Sequence, residues 1–304
     1  MGSSQGDRTL TDDGQGDMFG KGDEQVISGP LKWHGGKAYL ASRLVAMMPP
    51  HLHYVEPFAG GLSVLLAKDP EGVSEVVNDL NFELTNFWET LKGKDSFAEF
   101  IETIRATPFS EVEYCDSTNR NDRPRFAPNV EAAIQFFVCC RQSLAGRMDT
   151  FAPLSRTRVR RGMNEQASAW LNCVEGLPAV HERLKRVVIL SRPAMKCIDS
   201  QDGPQTLFYC DPPYLHETRS TTGEYAHEMT DTQHFDLLKR LARIEGKFML
   251  SGYRSEMYDA DAERFGWRRI DFDLPNNAAG GKEKQRKTEC VWMNFVPESK
   301  EPTQ

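Results

Sequence analysis

Several things are missing from this chain of 304 residues, and each absence narrows what it does. Long hydrophobic runs are missing. Stretches such as 62–67 are far too short to cross a bilayer, which excludes a transmembrane protein. No charged-then-apolar segment opens the chain, so a secretory leader is not expected. The seven cysteines contain no Cys-x-x-Cys spacing and are odd in number, which argues against a zinc site or a disulfide framework and favours a reducing cytoplasm. No metal is expected. A surplus of positive charge is also missing: 37 basic against 44 acidic residues give a net charge of -7. On average that opposes binding to a polyanion. No internal repeat is visible.

What is present is patterned unevenly. Residues 1–25 are rich in Gly, Asp, Ser and Gln and are expected to be a disordered tail; 298–304 form a loose polar end. From Val26 onward, periodicity predicts a helix over 39–48 and a strand over 53–57. A glycine turn, a helix over 62–67, a strand over 75–78 and a helix over 81–91 follow. Strand, turn and helix in alternation indicate an α/β fold with a parallel sheet. Residues 93–185 differ, with helices over 130–144 and 164–177 dominating. They read as a mostly helical insertion between 26–92 and 186–297. Strand character returns at 187–190, 206–210, 248–251 and 289–295, with a helix over 234–244.

Three loops carry candidate chemistry. Asp211-Pro212-Pro213-Tyr214 follows the apolar strand directly, at the carboxyl end where open α/β sheets bind ligands. Two prolines cannot continue a central strand, so they stiffen a loop that presents Asp211 and Tyr214. The Asp211 carboxylate and the Pro212 carbonyl can both accept hydrogen bonds from one planar amino group, and an aromatic ring can stack on the ring that bears it. The plainer alternative is a rigid turn with a solvated Asp. Glu56-Pro57-Phe58-Ala59-Gly60-Gly61 is a glycine turn before a helix N-terminus. It lacks the full dinucleotide fingerprint but gains weight from Asp79, placed to accept hydrogen bonds from a ribose diol or, more simply, to cap the next helix. Lys32-Trp33-His34-Gly35-Gly36-Lys37 is a second glycine loop, in which Lys37 suits a ligand carboxylate and Trp33 an apolar face.

Taken in order, Lys32–Lys37, Glu56–Gly61, Asn78-Asp79-Leu80-Asn81 and Asp211–Tyr214 resemble the motifs of the Dam-type (D12 class, alpha group) adenine-specific DNA methyltransferases. The resemblance runs from about Leu31 to Phe295. It implies a Rossmann-like class I methyltransferase sheet with an inserted helical target-recognition domain, S-adenosyl-L-methionine as donor and the N6 amine of adenine as acceptor. Lys37 matches the lysine that holds the methionine carboxylate, and Trp33 shares its loop. Glu56, Pro57, Phe58, Ala59, Gly60 and Gly61 fall on the methionine-binding turn, and Asp79 on the ribose acid. Asp211, Pro212, Pro213 and Tyr214 fall on the catalytic loop, with Tyr214 as the stacking partner of an extruded base. One stretch departs from the pattern. Ser191-Arg192-Pro193-Ala194 stands where many relatives carry an Asp-Phe pair against the donor's adenine, leaving Asp199 or backbone groups to substitute.

The charge asymmetry then acquires meaning. Between Arg141 and Arg192 ten basic residues face four acids. Arg147, Arg156, Arg158, Arg160 and Arg161, and the later run Lys282, Lys284, Arg286 and Lys287, are candidate DNA contacts. Gln142 and Ser143 are candidates for a polar DNA-facing pair, with a helix interior as the competing account. His216, Arg219 and Tyr225 are candidates to order around the base. Gln15-Gly16-Asp17-Met18-Phe19 resembles the short peptides that dock on bacterial sliding clamps. Two rival functions remain: a cytosine-N4 DNA methyltransferase, against which Asp at position 211 argues, and a non-catalytic DNA-binding protein of the same fold, against which intact Lys37, Asp79 and Asp211 argue.

Overall fold

The computed structural model describes residues 27–33, 35–118, 128–215, 228–275 and 286–297. The clamp-like peptide, His216, Arg219, Tyr225, Lys282 and Lys284 lie outside them.

The chain begins with a short helix α1 (Ala41–Ala46), strand β1 (His53–Glu56), helix α2 (Ser63–Ala67) and strand β2 (Ser74–Asn78). Helix α3 (Phe82–Lys92) starts where Asn81 accepts hydrogen bonds from the backbone N–H groups of Glu83 and Leu84. Four helices and a hairpin follow: α4 (Lys94–Ala106), α5 (Glu111–Thr118), α6 (Val130–Gln142), the two-stranded β3 (Val159–Arg160) and β4 (Met163–Asn164), then α7 (Glu165–Leu184). The chain returns to the sheet with β5 (Val187–Leu190), α8 (Ala194–Gln201), β6 (Thr206–Cys210), α9 (Asp231–Leu241), β7 (Lys247–Tyr253), α10 (Glu256–Phe265), β8 (Arg268–Pro275) and β9 (Arg286–Met293).

Seven strands form one sheet in the order β5-β2-β1-β6-β7-β9-β8. The first five run parallel, and β9 is antiparallel to both of its neighbours. The chain leaves β1 toward one edge and returns beside it at β6. The strand order therefore reverses between β1 and β6, and a crevice opens at their carboxyl ends.

Strand periodicity sorts the core into two layers. Tyr54, Val77, Leu207 and Met249 face one cluster; their neighbours Val55, Val76, Phe208 and Leu250 face the other. The first cluster holds side chains of α1 to α4, α6 and α7, the second those of α8, α9 and α10. Phe100, Phe137 and Trp170 of the helical segment share the first cluster with Phe87 and Leu207, so these helices extend the sheet's own core. A buried ion pair fastens α7 to β2: Arg183 donates to both Glu75 carboxylate oxygens at 2.5 and 2.7 Å, and to the Leu65 carbonyl at 3.1 Å. Among the described residues no helix is long and apolar enough to cross a membrane.

Candidate active site

A cavity of about 250 Å³ occupies the crevice between the ends of β1 and β6. The glycine turn after β1 forms its floor. Gly60 has φ +47°, and a Cβ there would come within 2.7 Å of the Trp33 indole nitrogen; one on Gly61 would meet the Trp33 Cβ at 2.8 Å. These glycines let the indole lie flat on the turn. Asp79 braces the same turn, accepting hydrogen bonds from the Gly60 N–H at 3.0 Å and the Asn81 N–H at 2.8 Å. The buried Asn78 amide donates to the carbonyls of Pro57 and Arg192, tying the ends of β1, β2 and β5 together. All of Trp33, Lys37, Glu56 to Gly61, Asp79, Asp211, Pro212 and Pro213 line the cavity.

Glu56 is fully buried beneath it and accepts a hydrogen bond from the Tyr54 hydroxyl at 2.7 Å. Burial pushes its carboxyl up to about 8, against the lowering effect of that hydrogen bond. Lys37 is 3% exposed and reaches across the crevice. Its ammonium contacts the Asp211 oxygens at 2.8 and 2.9 Å and donates to the Gly35 carbonyl at 2.7 Å. Burial alone would lower its pKa, but the carboxylates of Asp211 and Glu289 overcome this and raise it well above the ordinary lysine value. The lysine matched to a ligand carboxylate is thus held by carboxylates of the protein itself.

Tyr214 is 5% exposed and lies behind Asp211 rather than on the cavity wall. Its hydroxyl donates to Glu289 and sits 3.3 Å from Asp211 Oδ1; its ring is 4.9 Å below the Lys37 ammonium. The ring expected to stack on a base is therefore buried here and not presented to the cavity. Asp199 pairs with Arg240 at 2.5 Å and does not line the cavity; Pro193, Ala194 and Met195, at the start of α8, form that wall.

Sequence reasoning missed Glu289 and Tyr209. Tyr209 precedes the loop on β6, lines the cavity and shares a hydrogen bond with Ser251 at 3.0 Å. Its place in an apolar strand reads as core. Glu289 lies on β9, and nothing near it in the chain marks it as part of a site.

The arginine candidates from Arg147 to Arg161 fall in the connection between α6 and α7. The run 156–161 folds into the β3–β4 hairpin, turning at Arg161 and Gly162, which have φ +53° and +74°. Arg147, Arg156, Arg158, Arg160 and Arg161 are all exposed. Arg161 is paired with Glu175 at 3.1 Å, and Arg158 lies 3.6 Å from Glu165. Arg147, Arg156 and Arg160 make no ion pair among the described residues. Arg286 and Lys287 open β9, paired with Pro275 and Leu274. Gln142 and Ser143 are interior instead. Gln142 bonds Pro108 and Ser110, Ser143 bonds Cys140 and Met148, and both are fully buried. Next to them, Gly146 (φ +77°) packs so closely on the loop before the cavity that a Cβ would stand 1.7 Å from the Lys32 carbonyl oxygen.

A parallel sheet with this strand order and an antiparallel β9, a glycine cradle after β1 and an acidic diproline loop after β6 define a Rossmann-like methyltransferase. The D12 class N6 adenine-specific DNA methyltransferase family matches residues 33–269, and the chain belongs to that family. It is an adenine-specific DNA methyltransferase, acting on DNA with a methyl donor; the cytosine-N4 and non-catalytic readings are not favoured. No curated protein matches the chain significantly.

Proposed function

We propose that this enzyme methylates adenine N6 at a specific site in double-stranded DNA, using S-adenosyl-L-methionine and a base turned out of the helix. The observation that carries the reading is the single cavity bounded on one side by Gly60, Gly61 and Asp79, and on the other by Asp211 and Pro212. The cradle fits the donor: bare glycine backbone, a carboxylate at the ribose position, an indole over the turn and the buried Glu56. Trp33, Lys37, Glu56 to Gly61, Asp79 and the 193–195 wall would hold it. Bound there, it supplies a methyl group on a positively charged sulfur.

The protein's part concerns the adenine amine, a poor nucleophile because its lone pair is delocalised into the ring. Asp211 and the Pro212 carbonyl accept its N–H hydrogens, which favours a pyramidal nitrogen and stabilises the positive charge that grows there. Lys37 fixes both oxygens of Asp211 in place, and the diproline keeps the Pro212 carbonyl aimed. A duplex hides the amine, so the base must leave the stack. Arg147, Arg156, Arg158, Arg160 and Arg161 supply the phosphate grip, joined by Lys282, Lys284, Arg286 and Lys287. The helical segment 93–185 is the target-recognition region in this reading. A cytoplasmic, nucleoid-associated location follows from the substrate. The peptide Gln15–Phe19 is proposed to bind a sliding clamp; unchanged clamp binding after deletion of 1–20 would discard it.

The deciding test is nucleoside analysis of DNA incubated with the enzyme and S-adenosyl-L-methionine. N6-methyladenine is expected from the parent and about a thousandfold less, or lower still, from Asp211→Ala; N4-methylcytosine, or transfer by the variant at a rate comparable to the parent's, would overturn the reading.

A further inference from the structure

The structure assigns Glu289 a part in the reaction: we infer that it is a positioning residue that acts through Tyr214 to fix the Asp211 carboxylate. This rests on the function proposed above and deepens it.

Glu289 does not line the cavity and is 3% exposed. Its oxygen accepts the Tyr214 hydroxyl hydrogen and lies 3.6 Å from the Lys37 ammonium. That same hydroxyl is 3.3 Å from Asp211 Oδ1. The ring is braced from the side by Tyr253, edge-on at 4.7 Å, and Tyr253 is the register partner of Glu289 on β7. One lysine thus faces two carboxylates, Asp211 at the cavity and the buried Glu289. Burying a second carboxylate around a single cation is costly, and an apolar residue would serve packing better. The placement is explained if the second carboxylate has a task. Tyr214 has one hydroxyl hydrogen and two carboxylate acceptors within reach, Glu289 Oε1 and Asp211 Oδ1, and shares it between them. The phenol is thereby held between the two, closing a frame of Lys37, Tyr214 and Glu289 around the group that meets the target amine. Glu289 itself touches neither donor nor base.

The test compares the parent, Glu289→Gln, Tyr214→Phe and the double variant as full chains. Single-turnover methyl transfer is measured to plasmid DNA free of N6-methyladenine, and donor and DNA affinities are measured separately. Each single variant is expected to slow transfer by ~10–100-fold, the scale of a misplaced reacting group. Both affinities should stay within about threefold and the melting temperature near the parent's. The double variant is expected to be no slower than the slower single one, because both remove the same link. Glu289→Gln transferring at the parent's rate would overturn the inference. So would losses that multiply in the double variant, or affinity losses that account for the slowing. Failure of the parent to make N6-methyladenine, or transfer by Asp211→Ala at a rate comparable to the parent's, would instead overturn the functional reading on which this one rests.

Discussion

The crevice and the basic hairpin use charge in opposite ways. Around the crevice, Lys37, Asp211, Glu289 and Glu56 meet little solvent, and each has a defined partner. On the hairpin, arginines stand in water, and two of them, Arg156 and Arg160, have no acidic partner among the described residues. Buried charge is expensive, so it persists where one geometry is required. Exposed charge is cheap and adaptable, which suits a grip on a polyanion. The net charge of -7 averages over these two regions and describes neither.

Four substitutions separate the two regimes, taken from the largest effect. Asp211→Ala should lower methyl transfer by about a thousandfold or more, the scale of losing a key electrostatic group, while DNA affinity changes little. A parallel fall in DNA binding would show that the crevice and the grip are one unit. Arg183→Ala leaves Glu75 buried with only Lys68, 3.4 Å away, and should cost about 3 kcal/mol in urea denaturation. A loss under about 1 kcal/mol would mean that Lys68 alone suffices.

Glu56 provides a pH test. Its folded pKa of about 8 lies above the ordinary 4.5, so the folded state holds the proton more tightly. Stability from this group is fully present below about pH 4.5 and declines as pH rises through the folded value. Glu56→Gln should therefore gain stability relative to the parent between melts at about pH 5 and about pH 8.5. A constant difference would place the ionised carboxylate in a better-solvated setting. The smallest effect is expected from Arg160→Ala: an unchanged melting temperature and a salt dependence of DNA binding reduced by about one phosphate contact.

Much of the framework was legible in the residues. The strands over 187–190 and 206–210 coincide with their apolar runs; β6 is interior and buried on both faces, whereas β5 is the sheet edge and leaves Val188 exposed. The cradle was legible because glycine is needed where Trp33 lies on the turn. Other features were hidden. The helix expected to stop at Leu177 continues through Pro178 to Leu184, since Val174, Leu177, Val180 and Leu184 all bury the same face. β8 was missed because Arg268, Arg269, Asp271 and Asp273 disguise a strand whose inward residues are Ile270 and Phe272. Gln142 and Ser143 are polar, yet their hydrogen bonds are all internal. Glu289 had no local signature, because its meaning comes from Tyr214 and Lys37, which only the folded sheet brings to it.

Gly146 has a consequence for how such enzymes diversify. At that point the segment carrying the arginines rests directly on the main chain that leads into the cavity, with no space for even a methyl group. On the function proposed above, grafting a limb with another sequence preference onto this scaffold must preserve that bare junction. Otherwise the new limb would wedge open the loop bearing Trp33 and Lys37, and altered reading of DNA would come at the expense of the chemistry.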